Sequence, residues 1–159
     1  MSSETEESPV KLWVYLSSRL LTSEEEKWLL EKGTSFTNTW EAHGHKLLST
    51  FVVLARGIVV IMVDESSADV TGCSIDKSVN LMKELGTEMQ IDFMDRMRAA
   101  YLDDQHLLNI RTLEEMKADY AAGKINDDTM VFNSLISSKD DLTEKLYIPL
   151  RESWVHAKL

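Results

Sequence analysis

The sequence predicts an α+β fold: a ferredoxin-like sheet-and-helix sandwich of β-α-β-β-α-β order over residues 11–102, followed by a C-terminal α/β extension. Three observations predict it. Short runs rich in β-branched and aromatic residues, either alternating or continuously apolar, fall at 11–18, 47–54 and 58–63. Helical periodicity behind Ser/Thr caps follows the first and third of these runs, at 22–43 and 74–86. The chain of 159 residues, 43% of them apolar, can bury one core and fits one domain better than two.

In KLWVYLSS, Leu12, Val14 and Leu16 alternate with Trp13 and Tyr15, which makes the first strand. Thr22 with Glu25, or Ser23 with Glu26, forms a capping box, and Leu29, Phe36 and Trp40 then recur on one face of the first helix. Gly33 costs its middle roughly 1 kcal/mol against alanine, so a kink or break is expected there, with Gly44 as the C-terminal cap. Strands two and three flank Arg56-Gly57, where glycine is expected to supply the positive φ of a tight hairpin. Ile58 to Val63 is apolar at nearly every position, as in a central strand covered on both faces.

The second helix is expected to start near Ser74, to bury Ile75, Val79, Met82 and Leu85, and to stop at Gly86. IDFMDRMRAAYL, residues 91–102, reads as strand four. A turn at 103–106 leads to a fifth strand, Leu107 to Arg111, antiparallel to the fourth. Thr112 with Glu115 opens a third helix that ends at Gly123, Met130 to Leu135 is a short strand, and Ser138 with Asp141 caps a fourth helical piece before Pro149. Residues 10–104 thus form the core of a single domain, 10–159. Residues 105–159 add to its sheet as an extension without an independent core.

Cys73 is the only cysteine, so no disulfide forms within the chain, and no Cys/His cluster points to structural zinc; a reducing cytoplasm is the expected location. MSSETEESP carries three glutamates and no basic residue, unlike a signal peptide, and residues 1–9 are expected to be a disordered acidic tail. The longest apolar run, near 58–63, is far shorter than the ~20 residues that span a bilayer. A net charge of −10 repels phosphates and anionic headgroups, so neither nucleic acid nor membrane is an expected partner.

The candidate site is the stretch VDESSADVTGCSIDKSV, where a strand gives way to a loop and a helix N-terminus with unpaired amides. Cys73 stands where a helix dipole favours a thiolate, as a nucleophile requires, although no motif ties any of the four histidines to it. Thr71, Gly72 and Ser74 form a donor-rich turn suited to an anion, and Lys77 adds a positive charge. Asp64, Glu65, Ser66, Asp69 and Asp76 place oxygen ligands nearby, at spacings that match no metal signature. The structural alternative is that Ser74 is an N-cap, Gly72 relaxes the turn and Asp76 complements the dipole. No cofactor or bound metal is expected. Trp154, beyond Pro149, either staples the C-terminus to the body or awaits a partner.

GCSIDKSV, the DES before it, the DFMDRM after it, GKINDDTMVFN and ESWVHAKL together resemble a family of small Bacteroidetes proteins of unknown activity, from about Val10 to Leu159. Its members often carry the label "ABC transporter ATPase". That label would imply ATP hydrolysis, yet this chain has no GxxxxGK[ST] loop to cradle phosphates. What the resemblance implies is a cytoplasmic bacterial protein. TLEEMKADYAAGKINDDTMVFN is also similar to the helix-glycine-strand segment of bacterial GYF-type modules, which implies a protein or peptide partner. The glycine-proline entry of those modules is missing, and Val131 is followed by Phe132-Asn133 where they have tryptophan. The expected function is therefore a noncatalytic binding or protein-interaction module. The alternative is a small enzyme using Cys73 or an Asp64/Asp69/Asp76 carboxylate site.

Overall fold

Alternation along Val10–Leu16, β1, sends Trp13 and Tyr15 to one side of a sheet and Leu12, Val14 and Leu16 to the other. The computed structural model describes residues 9–159, so the tail expected at 1–9 lies, apart from Pro9, outside the described residues. Pro9 accepts a hydrogen bond from the Glu65 amide at 2.8 Å.

Helix α1, Ser23–Thr39, starts on the Thr22/Glu25 capping box. Arg19 holds both oxygens of Glu25, at 2.7 and 2.8 Å, and with the Thr22 amide keeps this carboxyl at about 2. The helix runs through Gly33 without a break. Gly33 lies against the sheet, where a Cβ would stand 2.2 Å from the Phe51 ring, so glycine allows a close approach here. Trp40 ends the helix in extended conformation. Gly44 is not its cap: with His43 it turns the small hairpin of β2, Glu41–Ala42, and β3, His45–Lys46, at φ 78° and 53°.

Leu48–Leu54, β4, and Ile58–Asp64, β5, form the expected hairpin, but the positive φ angles belong to Ala55 and Arg56, at 51° and 57°. Two hydrogen bonds to Leu21 hold that turn, one from Arg56 Nε and one to the Arg56 carbonyl. Gly57 packs close to the flexible end of Ile110, whose Cδ1 would lie 2.9 Å from an added Cβ. The three strands form an antiparallel sheet in the order β1-β5-β4. Central β5 is buried on both faces, as its unbroken apolar run requires.

Helix α2, Gly72–Met89, passes Gly86 and ends at Gln90, which takes the left-handed conformation at φ 58°. Gly86 instead admits the Ile91 carbonyl, 2.6 Å from where a Cβ would stand. The buried face is Ser74, Ser78, Met82 and Leu85, with Ile75 and Val79 only half-buried at its margin. The last four residues of the expected fourth strand form β6, Ala99–Leu102. Before it, Asp92 and Asp95 each accept an amide two residues on, bending the chain into turns.

Strand β6 also leaves the expected sheet. It pairs with β7, Leu108–Arg111; α3, Leu113–Ala121, follows, and then β8, Met130–Phe132, pairs with β6 from the other side. Helix α4, Lys139–Glu144, leads to β9, Tyr147–Pro149, which completes a second sheet in the order β7-β6-β8-β9. One acceptor that an added strand would need on β1, the Val14 carbonyl, is taken by Arg96 Nη1 at 2.8 Å, and the guanidinium lies over the Tyr15 ring at 5.1 Å.

The result is four layers. Helices α1 and α2 pack on one face of the first sheet through Leu29, Met82 and Leu85 against Tyr15, Phe51 and Ile61. The opposite face, with Leu12, Val14, Ile58 and Val60, packs on Ala100, Leu108 and Phe132 of the second sheet. Beyond that sheet, Tyr101 and Val131 meet Met116 of α3 and the C-terminal Leu150 and Val155.

Candidate functional site

Thr71, not Ser74, is the N-cap of α2, and Ser74, the third residue of the helix, closes the capping box. The Ser74 amide donates to Thr71 Oγ1 at 3.1 Å, and the Thr71 amide donates to Ser74 Oγ at 2.7 Å. Ser74 is buried, and its carbonyl accepts the indole N–H of Trp40 at 2.9 Å. The Thr71 and Ser74 amides are thus used by the cap itself, and the turn is tied to the end of α1. This corrects the expectation that Ser74 caps the helix: the box Thr-x-x-Ser sets the boundary two residues earlier. Thr71→Ala is expected to cost about 1 kcal/mol in chemical denaturation, with Thr71→Asp close to the parent, since a carboxylate caps the same donor. A full loss in both variants would show that the threonine methyl, not the cap, matters.

The remaining predicted residues do not converge. Asp64 accepts the Ser66 amide at 2.9 Å, which holds its carboxyl below the usual range. Glu65 accepts the Val70 amide at 2.9 Å and pairs with Lys11 at 3.3 Å. Asp69, Gly72, Cys73, Asp76 and Lys77 are exposed. Among the described residues, no three Asp, Glu, His or Cys side chains stand close enough to hold one metal ion. The Asp64/Asp69/Asp76 carboxylate site is therefore not assembled: the first closes a turn, and the others point to solvent. Among the described residues, the Cys73 side chain has no hydrogen bond or ion pair.

Several concave features lie elsewhere, a cleft and a groove among them. A cleft of about 490 Å³ opens between the end of β6 and the loop before β8, lined by Tyr101, Asp103, His106, Lys124, Asp128 and Met130. Its acidic groups are largely committed. Asp103 accepts the Leu107 and Gln105 amides and the Asn109 side chain, which lower its carboxyl, and Asp128 pairs with Arg151. Behind its wall, Tyr101 donates to Asp119 at 2.8 Å, and Arg111 Nε lies 3.2 Å from the same oxygen. Close by, Tyr120 donates to Asp127 at 2.7 Å with His156 Nε2 at 3.2 Å from that oxygen, and Trp154 donates to Ser134 at 3.0 Å. Trp154 is therefore a staple for the C-terminus.

The second feature is a groove of about 410 Å³ between the start of α1 and the end of α2, lined by Glu24, Glu25, Trp28, Glu88 and Met89. Trp28 and Met89 are half-buried against the core and form an apolar floor. Lys32, one turn further along α1, rests its ammonium 5.5 Å from the centre of the Trp28 ring. Glu25 is engaged by Arg19, whereas Glu24 and Glu88 are exposed and without an ion pair among the described residues.

No family model, curated protein or solved structure matches the chain. The α1/α2 groove is not legible in the sequence, because its residues come from helix ends about 60 positions apart. One signal was present: Trp28 falls between charged neighbours, Lys27 and Glu31, on a helix whose core positions are Leu29 and Gly33.

Proposed function

We propose that this is a noncatalytic protein-interaction module of the bacterial cytoplasm whose contact surface is the groove between α1 and α2. The observation that carries the reading is Trp28, an aromatic anchor left half-open on a groove floor; tryptophan in such pockets dominates binding energy at protein contacts. The single cysteine supports a reducing compartment, and the net charge of −10 supports a partner other than nucleic acid. In the N-terminal half, the β1-β5-β4 order under two helices supports a relation to the ferredoxin-like class, with the fourth strand diverted to the second sheet.

The test places the photo-crosslinking residue p-benzoylphenylalanine at Glu24, on the groove rim, or at exposed Glu144, on α4, in the chain's native cells. A discrete adduct from position 24 and none from position 144 is expected. Equal labelling from both positions would refute the groove as the contact surface, and alkylation of Cys73 with iodoacetamide should leave the adduct unchanged.

A further inference from the structure

We infer that the occupant of this groove is a basic peptide segment, whose lysine or arginine head seats against Trp28 between Glu24 and Glu88. The inference rests on the reading of the groove as a contact surface and adds the chemistry of the partner. Three features favour a cation there. The floor is apolar, with an indole face to receive an alkyl chain and its charged head, and the chain's own Lys32 already places an ammonium 5.5 Å from that ring. Glu24 and Glu88 flank the floor, and no basic side chain is among its lining residues. The carbonyl end of α2 adds the negative pole of a helix dipole, yet the last turn of that helix contains Glu88 and no basic residue.

That last arrangement is locally unfavourable. A carboxylate at a helix C-terminus is repelled by the dipole, and the last turn of α2 itself carries no basic residue. Glu24, by contrast, sits at the favourable positive end of α1, so Glu88 is the residue whose charge a bound cation relieves most. An acidic or purely apolar partner leaves that repulsion in place. Repulsion at one helix end and an open indole at the other side of the groove are satisfied together by one long basic side chain.

The test uses the full chain, labelled with ¹⁵N, and the peptide Ac-Gly-Lys-Gly-Lys-Gly-Lys-Gly-NH₂, followed through the indole N–H signals of the four tryptophans. A saturable shift of the Trp28 signal is expected, with those of Trp13, Trp40 and Trp154 nearly still. Glu88→Lys should weaken binding about ten-fold and Glu144→Lys less than about two-fold, and a slightly raised melting temperature in Glu88→Lys would show that its fold is intact. Equal weakening by the two reversals would overturn the inference, since binding would then follow net charge alone. If the matching leucine peptide shifts Trp28 and the lysine peptide does not, the groove binds but the cationic partner is refuted. If neither peptide moves Trp28, both readings fall.

Discussion

Gly33→Ala is expected to destabilise the chain by a net of about 2–3 kcal/mol, a fall of roughly 5–10 °C in melting temperature. The added Cβ would stand 2.2 Å from two Phe51 ring atoms and 2.5 Å from a third. Neither partner can step aside, because Phe51 is 4% exposed and Gly33 is inside the continuous helix α1. The helix must then retreat from β4, loosening the packing that Leu29 makes with the sheet. Alanine returns up to about 1 kcal/mol of helix propensity, so the clash itself is larger than the net loss. Phe51→Leu in the same chain should relieve part of the effect, and a double-mutant cycle measures the coupling. Strictly additive losses would show that the two positions do not press on each other.

Asp119→Ala is expected to cost a similar amount, about 2–3 kcal/mol, below the ~3–5 kcal/mol of a fully buried pair because Arg111 reaches solvent. Asp119 is 7% exposed, and its Oδ2 serves both Tyr101 and Arg111. Its loss leaves a tyrosine hydroxyl without an acceptor beside the Met116 cluster and leaves the Arg111 guanidinium with only the exposed Glu115, 3.6 Å away. Burial raises the Tyr101 hydroxyl above its ordinary value, and the hydrogen bond to Asp119 raises it further. Ultraviolet titration should therefore find Tyr101 ionising at lower pH in the variant, although burial still holds it up. A loss of under about 0.5 kcal/mol, the level of an ordinary surface change, would refute the network's structural weight.

Local signals in the sequence translated well where a single periodicity or cap decided the outcome. The capping boxes at Thr22 and Thr112, the Ser138 cap, the doubly buried run 58–63 and the antiparallel return at 108–111 all appear in the structure. Glycines were harder, because a glycine needed for φ and one needed for space look alike in a sequence. Gly33 and Gly57 lie against side chains of distant strands, Phe51 and Ile110, which no local pattern reveals, and Gly86 makes room for the Ile91 carbonyl just beyond its own helix. Strand four was misplaced for a related reason. Its apolar residues Ile91 and Phe93 are buried, but under α2, and Asp92 and Asp95 break the ladder between them and β6. At the candidate site the residue types were legible and their fates were not. Thr71 and Ser74 satisfy one another, and only the fold could show that Trp28, Met89 and Glu88 share a groove.

The face of the first sheet that carries Leu12, Val14, Leu16, Ile58 and Val60 is covered by residues near 100, 108, 132 and 136. During synthesis from the N-terminus, at ~5–20 residues per second, that face therefore emerges several seconds before its cover does. For that interval the nascent chain presents a β-rich apolar surface with its helices already able to form on the other side. A stop codon near residue 104 is expected to remove most of that cover, the residues near 108, 132 and 136, and to leave a sheet face prone to aggregate.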